Sequence, residues 1–144
     1  MRLRSKLVAI PLSAALAGAG LMTVSAPPAV ASSLPICTKG TWISEPVFTI
    51  YMPTTSSNST SCFLARGDVS SAVTALQKSL KICFGKNIAI DGDFGPATES
   101  ALKSVQSGLG ITADGVYGTQ SRNSMLFVIA EPNPIGPCRF WPGS

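Results

Sequence analysis

One eight-residue phrase, Asp91 Gly92 Asp93 Phe94 Gly95 Pro96 Ala97 Thr98, returns in weaker form as Asp114 Gly115 Val116 Tyr117 Gly118 Thr119 Gln120 Ser121. Each copy runs Asp-Gly, a free position, an aromatic, Gly, two free positions and a hydroxyl residue, and each reaches a large apolar residue on the same downstream beat, Leu102 or Met125. Asp hydrogen-bonds the backbone ahead of it and Gly accepts a positive φ, so each Asp-Gly is a turn with a mechanism. The second Gly stands where a helix begins, and Pro96 occupies the first helical position, where a missing N–H costs nothing. The phrase therefore predicts turn, exposed aromatic, helix start, twice.

Apolar spacing fills in the helices. Val69, Val73, Leu76 and Leu80 recur at helical intervals, with Asp68 as the N-cap or as a favourable charge in the first turn, and Gly85 as the stop. Ile88, Ala89 and Ile90 read as a brief extended insert. The second helix starts at Pro96, carries Glu99 near its positive end, buries Ala101, Leu102 and Val105, and stops at Gly108 and Gly110. The third starts near Thr119, turns Met125, Val128 and Ile129 inward and cannot pass Pro132. These elements predict a mainly α fold, a compact three-helix bundle carrying the two Asp-Gly turn repeats, with an N-terminal extended arm and an irregular C-terminal tail tethered by disulfides.

Gly67, Val73, Leu76 and Gln77, then Asp91, Gly92, Phe94, Gly95, Thr98, Ala101 and Gln106, then Gly110, Asp114, Gly115 and Gly118 resemble the peptidoglycan-binding domain family. That family is a small three-helix module appended to bacterial cell-wall hydrolases. The resemblance covers about Leu64 to Phe127 and departs at three places: Ser70 replaces a Gly, Val105 a Phe, and Ser121 a Thr. Val105 shrinks a core position, so the core is expected to be repacked or propped from outside. The resemblance implies that a surface near the repeated turns and helix ends meets the wall polymer.

Outside this region, residues 1–31 form the expected signal peptide: Arg2, Arg4 and Lys6 as a basic head, an apolar run from Leu7 to Val24, and Ala29 Val30 Ala31 as the cleavage pattern. Its removal takes three basic groups away, so the formal charge falls from +4 to +1. A nearly neutral chain without a basic run argues against nucleic acid or an anionic membrane as partner. Residues 32–62 form the arm, 63–130 the domain and 131–144 the tail. In the arm Trp42, Ile43, Val47, Phe48, Ile50 and Tyr51 suggest extended segments, and residues from Thr54 to Ser61 a loop. Its aromatics either pack on the helices or, at Trp42 or Tyr51, offer a sugar-stacking platform.

The four cysteines, Cys37, Cys62, Cys83 and Cys138, suit two disulfides in an exported chain. Cys62 precedes the first helix and Cys83 ends it, which holds them roughly 20 Å apart and beyond bonding reach. Two pairings remain, and Cys37 with Cys62 beside Cys83 with Cys138 is favoured because it closes the shorter N-terminal loop.

The chain has no His, which removes Ser-His and Cys-His nucleophiles and His-based zinc hydrolysis. Asp91 and Asp93 are the nearest carboxylate pair and read as turn caps. They do not begin a calcium loop, because Leu102 stands where a bidentate Glu is required. The expectation is a non-enzymatic, cofactor-free and metal-free secreted monomer that binds peptidoglycan glycan and stem peptide, with a cell-wall hydrolase as a further possible partner. The candidate ligand contacts are Asp91, Phe94, Thr98, Asp114, Tyr117 and Ser121. Phe94 also suits a core wedge, and the Tyr117 hydroxyl suits a half-exposed place. The alternative is a disulfide-stapled accessory or inhibitor protein of a wall enzyme, marked by an exposed apolar patch of Trp42, Tyr51, Phe140 or Trp141. A hydrolase would need a catalytic domain that this length does not hold beside the module.

Overall fold

The computed structural model describes residues 34–130 and 136–143. The expected leader and residues 131–135 of the tail lie outside the described residues. Strands β1 (Lys39–Ser44) and β2 (Thr49–Thr54) form an antiparallel hairpin, and helix α1 (Ser71–Lys78) runs into a π-helical turn (Ser79–Cys83). Helices α2 (Pro96–Gly108) and α3 (Thr119–Ser124) follow, and strands β3 (Leu126–Val128) and β4 (Cys138–Phe140) make a second antiparallel pair. Among the described residues no helix is long and apolar enough to cross a membrane.

A mainly α three-helix bundle is therefore not what forms: three short helices share one core with two small sheets. The difference lies chiefly after Ser124. Met125, Val128 and Ile129 have helical spacing, yet the chain turns extended at Met125 (φ −89°, ψ 156°). Phe127 and Ile129 then point inward while Leu126 and Val128 are half-buried, the alternation of a strand. β4 supplies the hydrogen-bonding partner that selects this conformation, with Val128 opposite Cys138 and Leu126 opposite Phe140. The two sheets touch through a bridge between Ile50 and Ile129, and the Ala130 N–H donates to the Thr49 carbonyl at 2.9 Å.

The arm is part of the core. One face of the hairpin buries Ile50 and Met52, which join Leu64, Val73, Leu76, Leu80, Phe94, Leu102, Tyr117, Met125 and Phe127. Val105, the small residue of α2, enters the same cluster. The start of α1 also differs from expectation. Ser70 is the N-cap, its hydroxyl accepting from the Val73 N–H at 3.4 Å, whereas Asp68 accepts from the Ala65 N–H at 2.8 Å and closes the turn before it.

Two disulfides staple the ends: Cys37 to Cys62, 25 residues apart, and Cys83 to Cys138, 55 residues apart. The first fixes the base of the hairpin. The second fixes β4 to the end of the π-helical turn. In a loop-closure account each restrains the unfolded chain by on the order of 3–4 kcal/mol, more for the longer loop. Replacing Cys83 and Cys138 together by Ser is expected to destabilise the protein more than replacing Cys37 and Cys62; denaturant unfolding under oxidising conditions measures both, and the reverse order would contradict this account.

Candidate functional site

Each Asp-Gly corner is built around one buried glutamine. The Gln77 amide, at the end of α1, donates to Asp91 Oδ1 at 2.8 Å, the Asp93 carbonyl at 2.9 Å and Thr98 Oγ1 at 3.1 Å. Its Oε1 accepts from the N–H groups of Asp91 at 3.0 Å and Gly92 at 2.9 Å. Gln106, late in α2, repeats the arrangement: it donates to Asp114 Oδ1 at 2.9 Å, the Val116 carbonyl at 2.9 Å and Ser121 Oγ at 3.0 Å, and accepts from the Gly115 N–H at 2.9 Å. In both corners the same Asp oxygen also accepts a backbone N–H two residues on, from Asp93 at 3.0 Å or Val116 at 2.9 Å.

These contacts account for the residue types in the phrase. Gly92 (φ 78°) and Gly115 (φ 76°) sit in left-handed backbone that a side chain resists. They also pass close to the preceding helix: a Cβ on Gly92 would press on Ser70 and Thr74, and one on Gly115 on Glu99 and Lys103. Thr98 and Ser121 lie in the first turns of α2 and α3 and send their hydroxyls back to the glutamines.

Segment 64–69 laces both corners. Leu64 exchanges two backbone hydrogen bonds with Tyr117, each 2.9 Å, while the Gly67 N–H donates to the Phe94 carbonyl and the Phe94 N–H to the Asp68 carbonyl. Four residues of extended chain span at most about 14 Å, so this segment holds the two corners close together. Between them Arg66 reaches Glu99 at 3.4 Å, and Glu99 also pairs with Lys103 at 2.7 Å. The Lys103 hydrogen bond leads the effects that hold the Glu99 carboxyl below its ordinary value.

Only part of the expected contact set faces solvent. Asp91 and Asp114 are exposed, and so is Asp93. Phe94, Thr98, Tyr117 and Ser121 are buried, so the two aromatics present no face to solvent. Tyr117 meets the edge of Phe127 with ring centroids 6.2 Å apart. Its hydroxyl is buried without a hydrogen-bond partner, and burial raises its pKa. The tyrosine is thus an interior side chain rather than the half-exposed one expected. Gln77 and Gln106 were visible only as carriers of the resemblance; their position before each Asp-Gly is the signal that marks them as the hubs. Arg122 gave no signal. It is buried and donates to Ser61 Oγ at 3.1 Å and Asn123 Oδ1 at 3.0 Å, tying α3 to the end of the arm. Among the described residues no group of three or more His, Cys, Asp or Glu is placed to hold a metal ion.

Two glutamine-pinned corners and an ionic rim of Arg66, Glu99 and Lys103 are the features this region presents. Residues 69–125 match the putative peptidoglycan binding domain. A stretch of 41 residues is 46% identical to the zinc D-Ala-D-Ala carboxypeptidase of Streptomyces albus G, covering 28% of this chain and 16% of that one. A stretch of 60 residues is 35% identical to the autolytic lysozyme of Clostridium acetobutylicum, covering 42% of this chain and 18% of that one. The chain thus spans about a sixth of the length of these curated relatives. Among solved structures, a peptidoglycan-binding protein from Clostridioides difficile in complex with glutamine hydroxamate is 35% identical with a TM-score of 0.42, over 44% of this chain and 39% of that one.

Replacing Gln77 or Gln106 by Ala strands several buried donors and acceptors. A loss of about 3 kcal/mol or more is expected for either, read by denaturant unfolding; a loss below about 1 kcal/mol would remove the hub role. Asp91 carries a pH signature. Its pKa is lowered from 3.8, chiefly by the Asp93 N–H and then by Gln77. Its contribution is therefore fully present above the ordinary value and lost as pH falls through the lowered folded value. The wild type should exceed Asp91→Asn in melting temperature at neutral pH, and the gap should close on acidification below pH 3.8.

Proposed function

We propose that the protein is a secreted, non-catalytic, monomeric module that binds bacterial cell-wall peptidoglycan. The observation that carries this reading is the family match over residues 69–125, the segment that contains both glutamine-pinned corners. Export is supported by the N-terminal sequence pattern and by two disulfides in so short a chain. The same features and the family match support a cell-wall or extracellular location.

Of the six motif residues, Asp91 and Asp114 are the proposed contacts, since they stay at the surface. Phe94, Thr98, Tyr117 and Ser121 are proposed to act from inside, holding the corners in shape. Sugar amides and hydroxyls offer donors to the carboxylates, and stem-peptide carboxylates find Arg66 and Lys103 on the rim between them.

A second reading, an accessory protein docking on a wall enzyme, is favoured by Phe140, which is 57% exposed on β4, although Trp141 is packed against the core. Co-sedimentation of the mature protein with insoluble sacculi separates the two. Retention that soluble muropeptides displace is expected. Failure to sediment, with capture of one wall hydrolase instead, would overturn peptidoglycan binding in favour of the accessory reading.

A further inference from the structure

The hairpin carries an aromatic face that neither the core nor the corners use. Strand alternation turns Ile43, Ile50 and Met52 to one side and Trp42 and Tyr51 to the other. Trp42 stands directly opposite Tyr51, with ring centroids 4.8 Å apart and planes tilted by 37°. The Lys78 ammonium lies 4.9 Å from the centre of the Tyr51 ring. Trp42 keeps 48% of its surface in solvent, while Phe94, Tyr117 and Phe127 keep none.

The face is held rigidly. Gly40 leaves room for the Tyr51 hydroxyl, and a Cβ there would collide with that hydroxyl and with the Ser71 carbonyl. The Gly40 N–H donates to Ser71 Oγ at 3.1 Å, which docks the hairpin on the start of α1. Cys37 and Cys62 close its base. Trp42 and Tyr51 lie outside the family-matched segment, whereas Lys78 lies inside it, so the platform joins the arm to the peptidoglycan-binding domain.

We propose that Trp42, Tyr51 and Lys78 form a second binding surface, which takes a sugar ring of a peptidoglycan glycan strand; this rests on the function proposed above. A pyranose presents an apolar C–H face ringed by polar groups. A preformed indole face offers large contact area at small entropic cost. The next residue of β1 on the same side is Ser44, an exposed hydroxyl residue that suits a sugar's rim better than an apolar protein surface. Lys78 supplies a positive charge beside the rings that complements the carboxylates peptidoglycan carries next to its sugars.

The test is sedimentation with sacculi across a range of sacculus concentrations, with melting temperature followed in parallel. Trp42→Ala is expected to weaken retention about tenfold at unchanged melting temperature, and Trp42→Phe to recover most of it. Lys78→Gln is expected to weaken retention at low salt and to flatten its salt dependence, which keeps the test sound should Trp42→Ala lower stability. Phe140→Ser, at an exposed apolar position on β4, should bind as wild type. If the wild type sediments and Trp42→Ala and Lys78→Gln sediment equally well, this surface is overturned while peptidoglycan binding stands. If the wild type does not sediment, the parent reading fails first.

Discussion

A carboxamide carries two hydrogens and two lone pairs at the end of a flexible stem, and burying one is unfavourable unless those groups are matched. Gln77 satisfies that condition by closing the first corner: its amide hydrogens face Asp91, Asp93 and Thr98, and its oxygen takes two turn N–H groups. Glutamate in its place would meet the Asp91 carboxylate with repulsion and could donate nothing. The same logic at Gln106 makes each helix dependent on the turn that follows it, and each turn dependent on the hydroxyl of the next helix. Helices this short are marginal alone. Here they are coupled end to end by interior hydrogen bonds.

Much of that frame was legible. Asp-Gly, the aromatic and the second Gly specify turn and helix start through local backbone chemistry, and α2 begins at Pro96 as the sequence requires. What the glutamines do was not legible, because their partners lie 14 and 8 residues downstream and only the fold brings them together. The strand at Leu126–Val128 escaped for a related reason. Met125, Val128 and Ile129 fit helical spacing, while Phe127 and Ile129 fit a strand equally well, and a run so short cannot decide between the two periods. The decision came from β4, a partner from the tail held in place by Cys83 and Cys138.

What the sequence left open at the repeated phrase was which of its residues stay at the surface. The repeated aromatics suited both a ligand face and a core wedge, and recurrence alone does not decide between contact and packing. Phe94 and Tyr117 recur because each corner needs a wedge in the core and a backbone that pairs with segment 64–69. Tyr117 does so with its hydroxyl buried and unmatched, an unfavourable arrangement that its ring packing on Phe127 must outweigh. The two carboxylates of the phrase are different, because one oxygen of each is spent on the corner while the residue remains at the surface.

The two corners are not equivalent, and the difference explains how the arm and tail come to be attached. The first loop from Gln to Asp is longer than the second by the stretch that holds the π-helical turn, and that turn carries Cys83. Without the added length, α1 would end at its corner and offer nothing for the tail to bond. With it, β4 is fixed, β3 gains a partner, and Ile129 meets Ile50 of the hairpin. The hairpin in turn is held over α1, where Lys78 stands one residue after Gln77. A single helix end therefore carries both the buried amide that shapes the first corner and the cation beside the Trp42–Tyr51 pair.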